Sequence, residues 1–439
     1  MRTSLLQATA LFVVLTSAAA TPPYPIPEAA NDAPQPQRRQ TKHLRPIIER
    51  VPASSLEKRA EEPLQPVVGV KGAPLLIPEN SLLDSQNPDH LQTNPTDGGL
   101  VTNLKWSMSL SGMNLFEGGF VREQVVTDLP PSKDFSAAQN HVNQGAIRHM
   151  HWHDINEWGY VTAGSLLIGA VSDEGKNQVF RANKGDMWFF PKGQGHVIQG
   201  LSSPGAEYLL VFDNGDFDAK GRTFNVDDWL VHTPPSVLAK NFGMPESVFA
   251  SIPKSAASIM KGNASTGLIS SPNGKLEGAS SFHYRASEKP FTVVEGGRYL
   301  KVDKSVFPIQ TTLASQIVEI KPGAMREMHW HPTGVEWVYF VQGSARATVW
   351  LGGANARTFD FTTGDTAVFP DNSGHYIENV SNETVTYLEI FKADTVKDFS
   401  LSQWLSLTPN DLVAQVLNVS IETVKKFRTD KPVIVMGKK

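Results

Sequence analysis

The chain contains no cysteine. A fold without disulfides must stand on its core and on any ion it binds, and that ion is held without sulfur. An excess of one charge is also missing, since 40 Lys and Arg stand against 44 Asp and Glu for a formal net charge of −4. That balance gives no electrostatic basis for nucleic acid or an anionic membrane as partner, which leaves a small substrate as the natural one. After the first 20 residues no apolar run reaches the roughly 20 residues that span a bilayer.

What is present begins with MRTSLLQATALFVVLTSAAATPPYP. Arg2, an apolar stretch from Leu5 to Leu15 and the small residues Ala18, Ala19 and Ala20 read as a secretory signal peptide over 1–20, cleaved after Ala20. Residues 21–59 are rich in Pro and charge and close on SSLEKRAEEP, where Lys58-Arg59 resembles a kexin-type dibasic site. They read as a propeptide, with Ala60 the mature N-terminus and 60–100 an N-terminal arm. A secreted, extracellular glycoprotein is the expectation, with sequons at Asn263, Asn379, Asn382 and Asn418. Asn379 and Asn382 stand too close together for both to carry glycan readily.

The chain also repeats itself. GAIRHMHWHDINEWGYVTAGSLLIGAV, starting at Gly145, returns 178 residues later as GAMREMHWHPTGVEWVYFVQGSARATV from Gly323. NKGDMWFFPKGQGH, from Asn183, answers TTGDTAVFPDNSGH, from Thr362. A period this long implies two copies of one domain rather than a solenoid. Short β-branched or alternating runs such as SLLIGAV, ARATVWL and YLEIF lie between turn residues, so each copy reads as an all-β sandwich or small barrel. The copies occupy 101–245 and 281–439, joined by a linker over 246–280. PESVFASIPKSAASIMKG, from Pro245, is expected to be helical, as is the C-terminal tail, where Thr408 and Pro409 read as N-cap and first helical residue.

His151, His153 and Glu157 form H-x-H-x3-E, and His196 follows 45 residues after His151. Residues two apart on a strand share a face, so three imidazoles and a carboxylate can converge on one ion. His329, His331, Glu336 and His375 repeat the set, and six of the 12 histidines fall in these places. Nitrogen and oxygen ligands without sulfur suit Mn, Fe or Zn, with Cu and Ni possible on ligands alone, and two open positions would receive an oxygen-donor substrate or dioxygen. Arg148 and Arg326 precede the first histidine by three residues. Parity on an ideal strand turns them away from the ligands, and only a bulge or the strand entrance would bring them inward.

These spacings, G-x5-H-x-H-x3-4-E-x6-G and G-D-x4-P-x4-H, resemble the two motifs of the cupin superfamily. The duplication and the R-x2-H-W-H phrase resemble more narrowly the bicupin oxalate decarboxylases of microbes, as a fungal-type secreted member, together with their oxalate oxidase relatives. The resemblance spans about residues 66–425 and implies two tandem cupin barrels (double-stranded β-helix or jelly roll) with short helical tails. It further implies Mn2+ in each barrel, dioxygen as co-catalyst, oxalate or another small dicarboxylate as substrate, and a homo-oligomer built through helical tails and sheet edges. In this family the arginine polarises metal-bound oxalate, a role that suits a guanidinium.

Cleaving the C–C bond of oxalate takes away an electron and a proton and releases carbon dioxide. Return of both gives formate, whereas transfer to dioxygen gives peroxide. Bacterial members bring a glutamate to the first site on a mobile lid. The corresponding stretch here is FDNGDFDAKGRTF, from Phe212, with no glutamate and Asp218 as its carboxyl. That departure keeps oxalate oxidase as the alternative, and a storage or sugar-binding bicupin stands behind both. Within the repeat, Leu210 in EYLLVF is answered by Glu389 in TYLEIF. A carboxyl in an apolar strand either pairs with Arg326 or acts as a proton donor at the second site, the role the resemblance implies. The family's tyrosine seven residues on is Val396 here.

Overall fold

The computed structural model describes Leu83, Gln86, Asn87 and residues 96–437, apart from 220, 254–257, 266–269 and 272. The signal peptide, the propeptide with its Lys58-Arg59 site and most of the arm lie outside the described residues.

In chain order the first strands are β1 (Lys105–Ser107), β2 (Met113–Phe116), β3 (Gly119–Gln124), β4 (Ser136–Asn143), β5 (Ile147–His153), β6 (Glu157–Ala163) and β7 (Ser165–Val171). They continue with β8 (Asn177–Asn183), β9 (Met187–Phe190), β10 (His196–Gly200), β11 (Gly205–Phe212), β12 (Thr223–Asn225), β13 (Ile259–Met260) and β14 (His283–Tyr284). The second run is β15 (Thr292–Val294), β16 (Gly297–Val302), β17 (Ala314–Ile320), β18 (Ala324–Trp330), β19 (Glu336–Gln342) and β20 (Ala345–Trp350). It closes with β21 (Ala356–Phe361), β22 (Asp365–Phe369), β23 (Gly374–Asn379), β24 (Val385–Phe391), β25 (Phe399–Ser400) and β26 (Ile434–Met436). Every pairing between these strands is antiparallel, and each copy folds two sheets face to face.

Alternation along the strands creates three cores. On β11, Tyr208, Leu210 and Phe212 face the interior of the first barrel, while Leu209 and Val211 face outward. On β24, Tyr387 points into the second barrel, while Leu388 and Ile390 face outward. The two outward faces pack against each other, with Trp158, Phe189, Leu209, Trp337 and Ile390 among the buried contacts. Both faces of these sheets are therefore covered, and apolar side chains occur without interruption, as in LLVF.

Strand exchange ties the copies together. β1, ahead of the first barrel in sequence, pairs with β22 of the second, and β14, beyond the linker, pairs with β9 of the first. Sheet membership thus crosses the 101–245 and 281–439 blocks of the repeat.

The helical tails are α1 (Val226–Val231) and α2 (Pro235–Phe242) after the first barrel, and α3 (Leu401–Leu407), α4 (Asn410–Leu417) and α5 (Ile421–Val424) after the second. Two local expectations are corrected. In the stretch from Pro245 to Gly262, only a 3-10 turn at Glu246–Phe249 is helical among the described residues. The chain then forms β13, because backbone pairing with β5 outweighs a weak helical preference. Pro409 is itself the N-cap of α4 and Thr408 ends α3, since proline breaks the tail into short helices. Asn379 is buried, with its side-chain amide bonded to the carbonyls of Ile320 and Glu383, so in the folded chain that sequon offers no acceptor.

Candidate metal centres

β5 carries Arg148, His151 and His153; β6 begins at Glu157 and β10 at His196. In the first barrel the four ligand atoms lie within 4.8 Å of one another, and His329, His331, Glu336 and His375 do the same in the second. All eight side chains are buried. Glu157 Oε2 is 3.3 Å from His153 Nε2 and 3.4 Å from His196 Nε2; Glu336 Oε2 is 3.2 Å from His331 and 3.0 Å from His375.

The far side of each ring is already engaged. His151 Nδ1 donates to the carbonyl of His149, His196 Nδ1 to that of Gln194, and His153 Nδ1 meets the hydroxyl of Thr223. In the second barrel His329, His331 and His375 donate to the carbonyls of Glu327, Lys397 and Ser373. The carbonyl contacts fix the tautomer of five rings, so their Nε2 lone pairs turn inward, and the Thr223 hydroxyl can accept from His153 Nδ1 to give the same arrangement there. His151 Nε2, His153 Nε2, His196 Nε2 and Glu157 Oε2 find no hydrogen-bond partner, and His329 Nε2 faces His331 Nε2 at 3.0 Å. Lone pairs that converge in a dry interior demand a cation, and a neutral-imidazole and carboxylate set fits a divalent metal. Burial and the neighbouring Arg148 hold His151 well below the usual histidine range, which keeps it a neutral ligand. Burial alone would raise Glu157, but His196 and His153 outweigh it and hold the carboxylate well below its ordinary range.

The arginines point inward by the bulge that parity required. Three steps on β5, from Arg148 to His151, oppose two on β10, from Ile198 to His196, and the same mismatch separates Arg326 from His329 against β23. Both guanidinium groups are buried. Their partners differ. Arg326 gives Nη2 to Asp398 Oδ2 at 2.6 Å and Nη1 to the carbonyl of Val433, and Lys431 also binds Asp398. Burial would lower Arg326, but Asp398 and Glu389 raise it above its ordinary value. Arg148 gives Nη1 to the carbonyl of Ser258 at 3.2 Å and meets no carboxylate within salt-bridge distance among the described residues, and burial lowers it. In the ladder Thr223 stands beside His153, just before Phe224; Asp398 stands just before Phe399, which pairs with Trp330 as Phe224 pairs with Trp152. A neutral hydroxyl thus occupies the first barrel where the second has the carboxylate.

Glu389 is fully buried, its Oε1 3.9 Å from Arg326 Nε. Burial, then the charge of Glu336, push its carboxyl up to about 8, against the pull of Arg326. Asp218 is exposed on the turn that follows Phe217. That turn is clasped by Arg222, which donates to Asp216 at 2.8 Å and to Asp154 at 2.9 Å, and Phe217 stacks on Phe212 against His153. Lys220 of this turn lies outside the described residues.

Three residues went unnoticed in the sequence. Glu123 lies beside Ala138 and Leu210 across β3, β4 and β11, on the inner face of the first barrel. Burial, then Asp218, raise it, with Arg148 opposing. The repeat offered a signal, because Lys301 answers Glu123. Trp188 donates its indole N–H to Glu157 Oε1 at 2.9 Å. A Cβ on Gly159 would meet that indole at 2.0 Å, so glycine there is a condition of the contact. The second barrel has Val338 opposite Ala367 instead. Asp398 is the third.

Residues 114–248 and 283–425 each match the cupin family. A protein of Arthroderma benhamiae named probable oxalate decarboxylase is 50% identical over 369 residues, covering 83% of this chain and 91% of that one. The chain is a bicupin of the oxalate decarboxylase family. Its relative in Bacillus subtilis, also named oxalate decarboxylase, is 38% identical over 87% of this chain and 99% of that one. A solved structure of the Bacillus subtilis oxalate decarboxylase superposes with a TM-score of 0.79 at 39% identity, covering 85% of this bicupin and 98% of that chain. Another structure of that enzyme, with a TM-score of 0.79, is described by the Mn(II) centres it contains.

Proposed function

We propose that this bicupin is a secreted, manganese-dependent oxalate decarboxylase that converts oxalate to formate and carbon dioxide, with dioxygen as co-catalyst. The observation that carries the reading is Arg148: a buried guanidinium beside a converging His3Glu set, engaged among the described residues by one carbonyl and by no carboxylate. A small dicarboxylate with one end at the open metal positions would supply one.

Oxalate dianion and one proton give formate and carbon dioxide, so the reaction needs a proton and no net oxidant. Manganese, when bound, supplies Lewis acidity and the one-electron exchange with dioxygen that loosens the C–C bond. The chain does the rest. Arg148 orients the carboxylate and stabilises charge gathering on its oxygens. Leu210, Phe212 and Phe217 keep water from the carbon that must receive the proton. Glu123, half-buried and raised, is the nearest fit to a proton carrier for the first barrel, where Asp218 is left in solvent. In the second barrel Arg326 is already neutralised by Asp398, and Glu389 supplies the buried acid. The first barrel is therefore the one furnished to receive an anion.

Exposed Trp229, Val237 and Phe242 on one tail and Trp404, Leu407 and Val416 on the other support a homo-oligomer through the helical tails, which sedimentation of the processed protein tests. Secretion rests on the leader sequence and is tested by N-terminal sequencing of the exported chain. Among the described residues no helix is long and apolar enough to cross a membrane. The function is tested by incubating metal-loaded protein with oxalate in air while formate and hydrogen peroxide are measured. Formate without peroxide is expected. Peroxide without formate means the oxidase, and neither product removes both enzyme readings in favour of a storage or sugar-binding role.

A further inference from the structure

Inside the first barrel a buried phenol, like the four ligand atoms, is left without a partner among the described residues. Tyr208 is 1% exposed, and its hydroxyl meets no hydrogen-bond partner. Register places it in the same inward row of β11 as Leu210 and Phe212, and Phe212 pairs with Glu157. Its ring lies 5.7 Å from that of Trp188, the indole that holds Glu157 Oε1. Arg148 and Glu157 are the charged groups that act on the phenol from within the same barrel. The ring is anchored by aromatic packing, and the hydroxyl is therefore presented at a fixed place.

The second barrel holds an equivalent tyrosine in different surroundings, its hydroxyl likewise without a hydrogen-bond partner among the described residues. Tyr387 occupies the equivalent place with the buried carboxyl of Glu389 two residues on, a polar neighbour whose charge it feels. The first barrel has Leu210 instead, which offers no polar atom. A buried hydroxyl without a partner costs about 1–3 kcal/mol, so retention there points to a partner that arrives from outside the chain.

We propose that Tyr208 is a substrate-binding residue of the first barrel, whose hydroxyl donates a hydrogen bond to a carboxylate oxygen of the bound dicarboxylate while Arg148 holds the same anion. Two donors from different strands, β5 and β11, would fix the plane of the carboxylate as well as its position, which a single guanidinium bond cannot do. Tyr208 differs in this from Trp188, which acts on the metal ligand and would alter metal content. The inference rests on the reading of oxalate as substrate.

Tyr208→Phe in the full-length, metal-loaded protein removes one oxygen and leaves the ring in its packing. The expected result is a rise in KM for oxalate of about tenfold, the size of one hydrogen bond to a charged group, with kcat changed far less and with metal content and melting temperature those of the parent. An unchanged KM overturns the assignment. So does a variant that loses metal or melts lower, because the hydroxyl then serves the fold by bonding a trapped water. The parent enzyme separates the two readings: if it makes no formate from oxalate the proposed function fails, whereas an active parent with an indifferent Tyr208→Phe variant refutes this inference alone.

Discussion

Replacing each arginine by lysine should separate binding from stability. Lysine keeps the positive charge and loses the planar fork that grips a carboxylate with two nitrogens. At Arg148 the lost bond is the one owed to substrate, since the protein engages the group through a single carbonyl at 3.2 Å. A charge-assisted hydrogen bond contributes about 1.5–3 kcal/mol, which corresponds to a fall in kcat/KM for oxalate of about 10- to 150-fold. The melting temperature should stay within about 2 °C, because little native contact is removed. At Arg326 the lost bond is the 2.6 Å contact to Asp398 in a fully buried setting. The same 1.5–3 kcal/mol is then taken from stability, and kcat/KM should change far less. Steady-state formate production, calorimetry and metal analysis on the two variants read all three quantities. Equal losses of kcat/KM in the two proteins, or an Arg148→Lys protein that melts as low as Arg326→Lys, would refute the assignment of the free guanidinium to substrate.

Glu123→Gln should lower kcat by about 10²-fold or more and flatten its pH profile. The parent's activity is fullest below the raised pKa of Glu123 and falls as pH rises through it, so a parent-like alkaline limb in the variant removes Glu123 as the proton carrier. Glu389→Gln should leave kcat/KM for oxalate and metal content close to those of the parent, because Arg326 is held by Asp398 and the anion goes to the first barrel, whereas a fall of about tenfold places turnover in the second barrel as well. Full output in that variant assigns the chemistry to the first barrel alone. Asp398→Asn should lower stability at neutral pH by about 3 kcal/mol, since it removes the charge in direct contact with buried Arg326 and leaves only carboxyl groups at 3.9 Å. Asp398 has a depressed pKa, so its stabilisation is present above the ordinary aspartate value and disappears as pH falls through the folded one. Acid titration of unfolding should therefore be shallower in the variant, and identical acid limbs would show that another group dominates.

The sequence by itself determined the duplicated all-β architecture and the eight residues that the fold brings together as two clusters of three histidines and a glutamate. The reason is local: H-x-H on a strand needs only alternation to aim both rings at one point, and the repeat wrote the pattern twice in register. It also carried Glu389, because comparison of the two copies exposes a carboxyl where leucine should stand. Tertiary structure alone decided the rest. The bulges that turn Arg148 and Arg326 inward are set by pairing with β10 and β23 and have no sequence periodicity. The ion partner of Arg326 comes from Asp398, 72 residues away, and Thr223 takes its place in the other barrel. Strand exchange by β1 and β14 and the short, broken helices follow from contacts with distant segments that outweigh local preference. Two nearly identical phrases therefore bring together equivalent sets of three imidazoles and a carboxylate, while their unequal surroundings leave one arginine bound to a carboxylate of the protein and the other to a carbonyl.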